Sequence, residues 1–306
     1  MTTFLFPGQG SQFPGMGREL TAFGSRARAL IDTAEQATGL PLLDLMDRAD
    51  AARIADPHTA QVLVFVWSSV ALRDLTDRGL RPDAVAGHSL GEYTALVACG
   101  ALDWIDALAL VSARGRAMAA AASRRPGAMG AVVGLDAETV RHLCADATVG
   151  DEVAVVANLN SARQFVVSGT MDAVTAVLAA ASAAGALRAR RLPVGGAYHS
   201  PLMRGAEDAL APLLRGTVLR APRVPMVSSM TGAAITDITG YADALTRQIT
   251  SPVRWLATVG TLADETDFVE VGPGRVLAGL GRETLRAARH RSALAVARPR
   301  VTAGAA

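Results

Sequence analysis

The chain has no lysine, so all 30 of its basic residues are arginine. Aromatic residues make up only 4% of it, and it has five histidines and two cysteines. Each shortage excludes something. Against 28 acidic residues the arginines leave a formal net charge of +2, too little for a nucleic-acid footprint in the absence of a clustered basic motif. Cys99 and Cys144 have no Cys or His at metal-binding spacing, which excludes a disulfide framework and a zinc motif. The opening MTTFLFPGQG lacks a charged start and a long apolar stretch, so it does not read as a signal peptide. No run of 18 apolar residues occurs, so no membrane span is expected, and the expected location is the cytoplasm. With few aromatics, Ala, Val and Leu must fill the core. At 306 residues, half hydrophobic and 19% charged, the chain suits a globular protein with a large core or two unequal domains.

What is present is an alternation of short apolar runs with longer helical patterns. TFLFPG reads as a strand and a turn, 25–37 as a helix, and 59–79 as a long buried helix closed by Gly79. AVAG (84–87) is a short strand, and EYTALVACGAL after it is helical. This order predicts a parallel sheet covered by helices. From 128 to 194 the pattern changes to β-α-β-β-α-β, with Asp136 as a helix N-cap, which is the ferredoxin-like order. The expected fold class is therefore α/β. A discontinuous large domain (1–124 and 195–292) carries the parallel sheet, 125–194 forms an inserted ferredoxin-like subdomain, and 293–306 is an Ala- and Arg-rich disordered tail.

GHSLGEY (87–93) places Ser89 between two glycines, after a strand and before a helix. This is the nucleophile-elbow arrangement, in which the helix N-terminus faces the reacting centre. A serine hydroxyl needs a base. His58 follows Asp56-Pro57 and reads as a loop residue, His142 lies on an outer helix of the insert, and His290 sits in an arginine-rich segment. His88 adjoins Ser89 and should point away from it into packed structure. His199, in LPVGGAYHSPLM, sits on a loop returning from the insert and is the expected base. No acidic residue stands out to orient it, which leaves a backbone carbonyl or an amide side chain. The Leu90 N–H is the expected first oxyanion donor. The second is expected from the Gly-rich loop FPGQGSQ (6–12), through Gln9. Arg114, in LALVSARGRAM, follows an apolar helical stretch that would place it at an inner helix edge; Arg116, two residues on, is the competing candidate.

Taken in order, FPGQGSQ, GHSLGEY, SARGRAM, ANLNSARQFVVSG, LPVGGAYHSPLM, QITSPVRW and EVGPGRVL resemble the malonyl-CoA:acyl-carrier-protein transacylase family and the acyltransferase domains of polyketide synthases. The resemblance spans about residues 4–285 and implies an α/β-hydrolase-like large domain with a ferredoxin-like insert. It also implies that Ser89 is acylated by an acyl-CoA, with His199 as base, the N–H groups of Gln9 and Leu90 as oxyanion hole, and Arg114 on the free carboxylate of a malonyl group. Gln248, in QITSPVRW, matches the position that holds the histidine through its backbone carbonyl. The acyl group then passes to the phosphopantetheine thiol of an acyl carrier protein. No resident cofactor or metal is implied, and the family suggests a monomer. Tyr198 departs from the phenylalanine usual in malonyl-specific members and leaves room for a substituted malonyl, whereas Leu90 favours malonyl. Arg282, Arg286 and Arg289, spaced i, i+4, i+7, would share one helical face suited to an acidic carrier protein. Rival readings are a hydrolase that clears carrier proteins, the transacylase subunit of malonate decarboxylase, and a non-catalytic docking subunit.

Overall fold

The computed structural model describes residues 1–23 and 26–297. Five strands form a wholly parallel sheet: β1 (Thr2–Phe6), β2 (Ala84–Gly87), β7 (Met226–Val227), β8 (Asp267–Glu270) and β9 (Arg289–Ser292), in the order β7-β2-β1-β8-β9. Side chains alternate across the sheet as strand geometry requires. Phe4, Phe6, Val85 and Val269 enter the main core with Trp67, while Leu5, Ala84, Ala86 and Phe268 enter a second core with Trp255 on the opposite face. Both faces are thus covered, the usual condition of a parallel sheet.

Four strands between the two halves of this unit form the second sheet: β3 (Ala128–Val133), β4 (Ala154–Ser161), β5 (Gln164–Gly169) and β6 (Arg188–Arg191), in the order β4-β5-β3-β6, all antiparallel. Helices Ala137–Asp146 and Met171–Ala183 complete β-α-β-β-α-β, the ferredoxin-like arrangement expected from the sequence. Val132, Phe165, Val167, Val174 and Val177 give this subdomain a core of its own. Asp136 caps its first helix by accepting the Thr139 N–H at 2.8 Å.

The two units are joined by backbone. Leu159 N–H donates to Val253 O and Val253 N–H donates to Ala157 O, each at 2.8 Å. β4 is therefore hydrogen-bonded to a large-domain segment two residues beyond Ser251. Among the described residues no helix is long and apolar enough to cross a membrane.

Three expectations change. His58 is not in a loop: helix Pro57–Asp77 begins one residue earlier, because Asp56 caps it through the Thr59 N–H and Pro57 occupies its first position. The helix expected through Arg289 ends at Thr284. Residues 289–292 instead pair with β8, where His290 stacks on Phe268 with ring centroids 5.3 Å apart and Arg291 forms an ion pair with Asp267. An open sheet edge wins over helical spacing there, so Arg282, Arg286 and Arg289 are exposed on a helix, a turn and a strand and share no helical face. Finally, the expected disordered tail begins with helix Ala293–Ala297, which buries Ala293 and Ala297; the rest of that expectation, 298–306, lies outside the described residues.

Candidate active site

β2 ends at Gly87 and the helix Gly91–Ala98 begins four residues later, so the chain reverses within His88-Ser89-Leu90. Ser89 takes φ 53° at the apex, a left-handed conformation that non-glycine residues rarely adopt. The flanking glycines are sterically required. A Cβ on Gly87 would lie 2.1 Å from the Gly91 carbonyl carbon, and one on Gly91 would lie 2.0 Å from Phe6 O. Leu90 opens the helix, so its N–H is among the first-turn donors with no acceptor inside the helix. The turn projects the Ser89 hydroxyl into a cleft of about 1240 Å³ between the two units, whose walls include Gln9, Gln61, Met118, Tyr198 and His199.

His199 meets the hydroxyl there, with Ser89 Oγ donating to Nε2 at 2.8 Å. The other ring nitrogen faces two backbone carbonyls, Gln248 O at 3.0 Å and Ser251 O at 2.9 Å. Carbonyls only accept, so Nδ1 carries the proton and Nε2 is free to take one from Ser89. Carbonyls therefore do the orienting that a carboxylate does in a Ser-His-Asp triad. Burial, reinforced by the neighbouring Arg114 charge, pushes the His199 pKa down to about 3, from 6.5. The ring is neutral and ready to act as a base at any ordinary pH.

Arg114 lies on helix Trp104–Arg124 and is 1% exposed. Its Nη1 donates to Gln61 Oε1 at 2.6 Å, and its Nη2 donates to Ser89 Oγ at 3.1 Å and to Gln248 Oε1 at 3.2 Å. The guanidinium also lies 5.8 Å from the centre of the Tyr93 ring. Among the described residues no carboxylate lies within ion-pair distance of it. Desolvation lowers its pKa, opposed by Tyr93, Glu92 and Tyr198. A buried cation with no ion-pair partner among the described residues, beside a serine hydroxyl, is chemically suited to an anionic group.

The remaining expected residues fall around this centre. Gln9 lines the cleft, and its Oε1 accepts from Gln61 Nε2 at 3.0 Å. Tyr198 lines the same space; its hydroxyl is buried without a well-formed hydrogen bond, within reach of Gln9, and burial pushes its pKa up to about 12. His88 turns away as expected: its Nε2 meets Asn160 Oδ1 at 3.0 Å and its ring packs beside Trp255. The His58 Nε2 meets Ser112 Oγ at 2.8 Å, while His142 is exposed on the insert. Arg282, Arg286 and Arg289 are not part of the cleft wall.

Sequence reasoning missed Gln61, the Ser251 carbonyl and Glu92. Gln61 had a signal, as a polar side chain inside the apolar run TAQVLVFVW. Ser251 had none, because a carbonyl carries no residue identity.

A serine set in a strained elbow, hydrogen-bonded to a carbonyl-held histidine and beside a buried arginine with no carboxylate partner among the described residues, defines a serine acyltransferase on an α/β-hydrolase-like fold. The family model for the acyl transferase domain matches residues 3–301, and the chain belongs to that family. It is similar to the malonyl CoA-acyl carrier protein transacylases of Bacillus subtilis strain 168 (38% identical over 285 residues, 92% of this chain and 90% of the relative) and Escherichia coli K12 (39% over 281 residues, 90% of each). Among solved structures it resembles the malonyl CoA-acyl carrier protein transacylase of Coxiella burnetii, with TM-score 0.90 and 34% identity over 96% of this chain and 93% of that one. A malonyl-transacylase solved in complex with a type II PKS acyl-carrier protein is also similar, with TM-score 0.91 and 32% identity over 97% and 98% of the two chains.

Proposed function

We propose that this protein moves a malonyl group from coenzyme A to the phosphopantetheine thiol of an acyl carrier protein, through an acyl-enzyme on Ser89. The observation that carries the reading is Arg114: a buried guanidinium with no carboxylate partner among the described residues, 3.1 Å from the nucleophilic oxygen. The free carboxylate of a malonyl group supplies the missing anion, as a charge-assisted pair in a largely desolvated site. The names of the relatives agree with this donor and acceptor.

In the first half-reaction Ser89 Oγ attacks the thioester carbonyl as its proton passes to His199 Nε2. The oxyanion is held by the N–H groups of Leu90 and Gln9. Collapse breaks the C–S bond, and His199 returns the proton to the departing thiolate. In the second half-reaction the carrier's thiol gives its proton to His199 and attacks the ester, and Ser89 leaves with that proton. The thioester donor and the thiol acceptor are both substrates, so the chemistry as proposed needs no resident cofactor.

The test is incubation with malonyl-CoA carrying a radiolabelled malonyl group, with and without a holo carrier protein. Label should move to the carrier. Prompt release as free malonate regardless of carrier would establish a hydrolase instead, and absence of any labelling would reject both enzymes.

A further inference from the structure

Glu92 is wholly buried at the foot of the site, and the reaction above does not use it. Its Oε1 accepts from the Ser228 and Ser229 hydroxyls, each at 3.0 Å, and from the Ser229 N–H. Its Oε2 accepts from the Tyr241 hydroxyl at 3.1 Å and Gln248 Nε2 at 2.9 Å. A backbone N–H and an amide NH₂ can only donate, and three hydroxyls complete the shell, so the set suits an ionised carboxylate. Burial raises its pKa, and the bonds from Ser229, Ser228 and Tyr241 oppose that rise. Among the described residues no cation lies within ion-pair distance of it.

The site thus holds a buried anion and a buried cation that do not touch. A single amide stands between them. Gln248 donates through Nε2 to Glu92 and, at 3.1 Å, to the Ser89 carbonyl, while its Oε1 accepts from Arg114. Direct contact between Glu92 and Arg114 would satisfy the guanidinium and make a donor carboxylate compete for it. Removing the anion altogether would leave Arg114 charged and uncompensated in a dry site. The interposed amide avoids both, and it has only one workable orientation. Flipped, it would set its NH₂ against the guanidinium and its carbonyl against the carboxylate, two like-signed contacts in low dielectric. The backbone carbonyl of the same residue holds His199, so Gln248 serves the base and the carboxylate receptor together.

We propose that Glu92 is a positioning residue for donor selection: acting through the Gln248 amide, it holds Arg114 poised and unpaired for a dicarboxylic acyl donor. This rests on the malonyl-transfer reading.

The test compares kcat/KM for Ser89 acylation by malonyl-CoA and by acetyl-CoA in wild type, E92Q, Q248M and the double variant, with thermal unfolding of each. E92Q keeps the shape and removes the charge, which lets the Gln248 amide reverse. The malonyl-to-acetyl ratio should fall about ten- to a hundredfold, the range for losing a hydrogen bond to a charged group, with acetyl-CoA use largely kept. A merely structural glutamate would lower the melting temperature and leave the ratio alone. Q248M keeps the backbone carbonyl for His199 but breaks the relay, so it should lose the ratio too, and the double variant should lose no more than either single one. An unchanged ratio in folded E92Q, or additive losses in the double variant, overturns the proposal. If E92Q does not fold, Q248M alone decides: an unchanged ratio overturns the relay and a collapsed one supports it. A wild type with no preference for malonyl-CoA overturns the donor reading itself, before any variant is compared.

Discussion

Ser89 Oγ and His199 Nε2 lie 2.8 Å apart, and these two residues are the only non-glycine positions with positive φ among the described residues, at 53° and 57°. Each such conformation costs of order 1–3 kcal/mol and persists only where its surroundings impose it. Ser89 is held by the glycine-flanked turn, and His199 by its N–H on Ile249 O (3.0 Å) and its Nδ1 on two carbonyls. The pair is therefore set before any substrate arrives.

Ser89→Ala should abolish the covalent acyl-enzyme while leaving the fold intact, since it removes one oxygen. Intact-protein mass spectrometry after exposure to malonyl-CoA should show the adduct in wild type alone. An adduct in the variant would mean that another nucleophile is acylated.

His199→Ala should slow acylation by about a hundred- to ten-thousandfold, as expected for loss of a general base. His88→Ala should act on stability instead, because it strands the Asn160 amide oxygen at the seam between the two units. A cost of about 1–3 kcal/mol is expected in a denaturant titration. The elimination among histidines is wrong if His58 or His142 proves to be the essential one.

The depressed pKa of His199 sets the pH behaviour. Folded, it titrates near 3; unfolded, near 6.5. Between these values the unfolded chain binds the extra proton, so this group's contribution is fully present above about pH 6.5 and is lost as the pH falls towards 3. The slope approaches 1.4 kcal/mol per pH unit, to order of magnitude. Acylation rates should stay level through the ordinary imidazole range. An acid limb centred near 6.5 in the pre-steady-state rate would contradict the burial argument.

Arg114→Ala should cost malonyl transfer about thirty- to several-thousandfold, corresponding to roughly 2–5 kcal/mol for breaking a desolvated charge pair. Acetyl-CoA, with no carboxylate, should be used as well as before or better. Arg114→Lys should recover part of the loss, since it keeps the charge without the planar fork. A malonyl-to-acetyl ratio unmoved in Arg114→Ala would remove this residue from carboxylate recognition.

Tyr198→Phe deletes a buried hydroxyl that lacks a well-formed hydrogen bond. The variant should be as stable as wild type or up to about 1–3 kcal/mol more stable, and malonyl transfer should be retained. If the hydroxyl widens the donor range, use of a 2-hydroxymalonyl donor should drop in a panel of acyl-CoA thioesters. An identical panel in both proteins would show that the hydroxyl takes no part in choosing the donor.

The elbow and the insert were legible because their signals are local. GHSLGEY carries its own sterics in two glycines, and the β-α-β-β-α-β order follows from periodicity over 67 residues, 128–194. Arg114 and Gln248 became site residues only through resemblance, since their partners in the site lie 25 to 159 positions away. Glu92 stood within a recognised motif, yet its role depends on Ser228, Ser229, Tyr241 and Gln248, all more than 130 positions distant. Around Arg282–Arg289 the spacing was misleading. It fits an exposed helix, but the free edge of β8 recruited residues 289–292, an outcome set by tertiary pairing.

The backbone seam between β4 and Val253 bears on the order of events. Because the insert is stitched to the segment that carries Ser251, which holds His199, the walls on either side of Ser89 are fastened together beside the reacting atoms. Donor and acceptor arms converge on one serine hydroxyl in this cleft, so they reach it in turn. The acyl-serine left by the donor then waits in the cleft until the second arm arrives. How much malonyl is lost to water then depends on how quickly the next passenger boards.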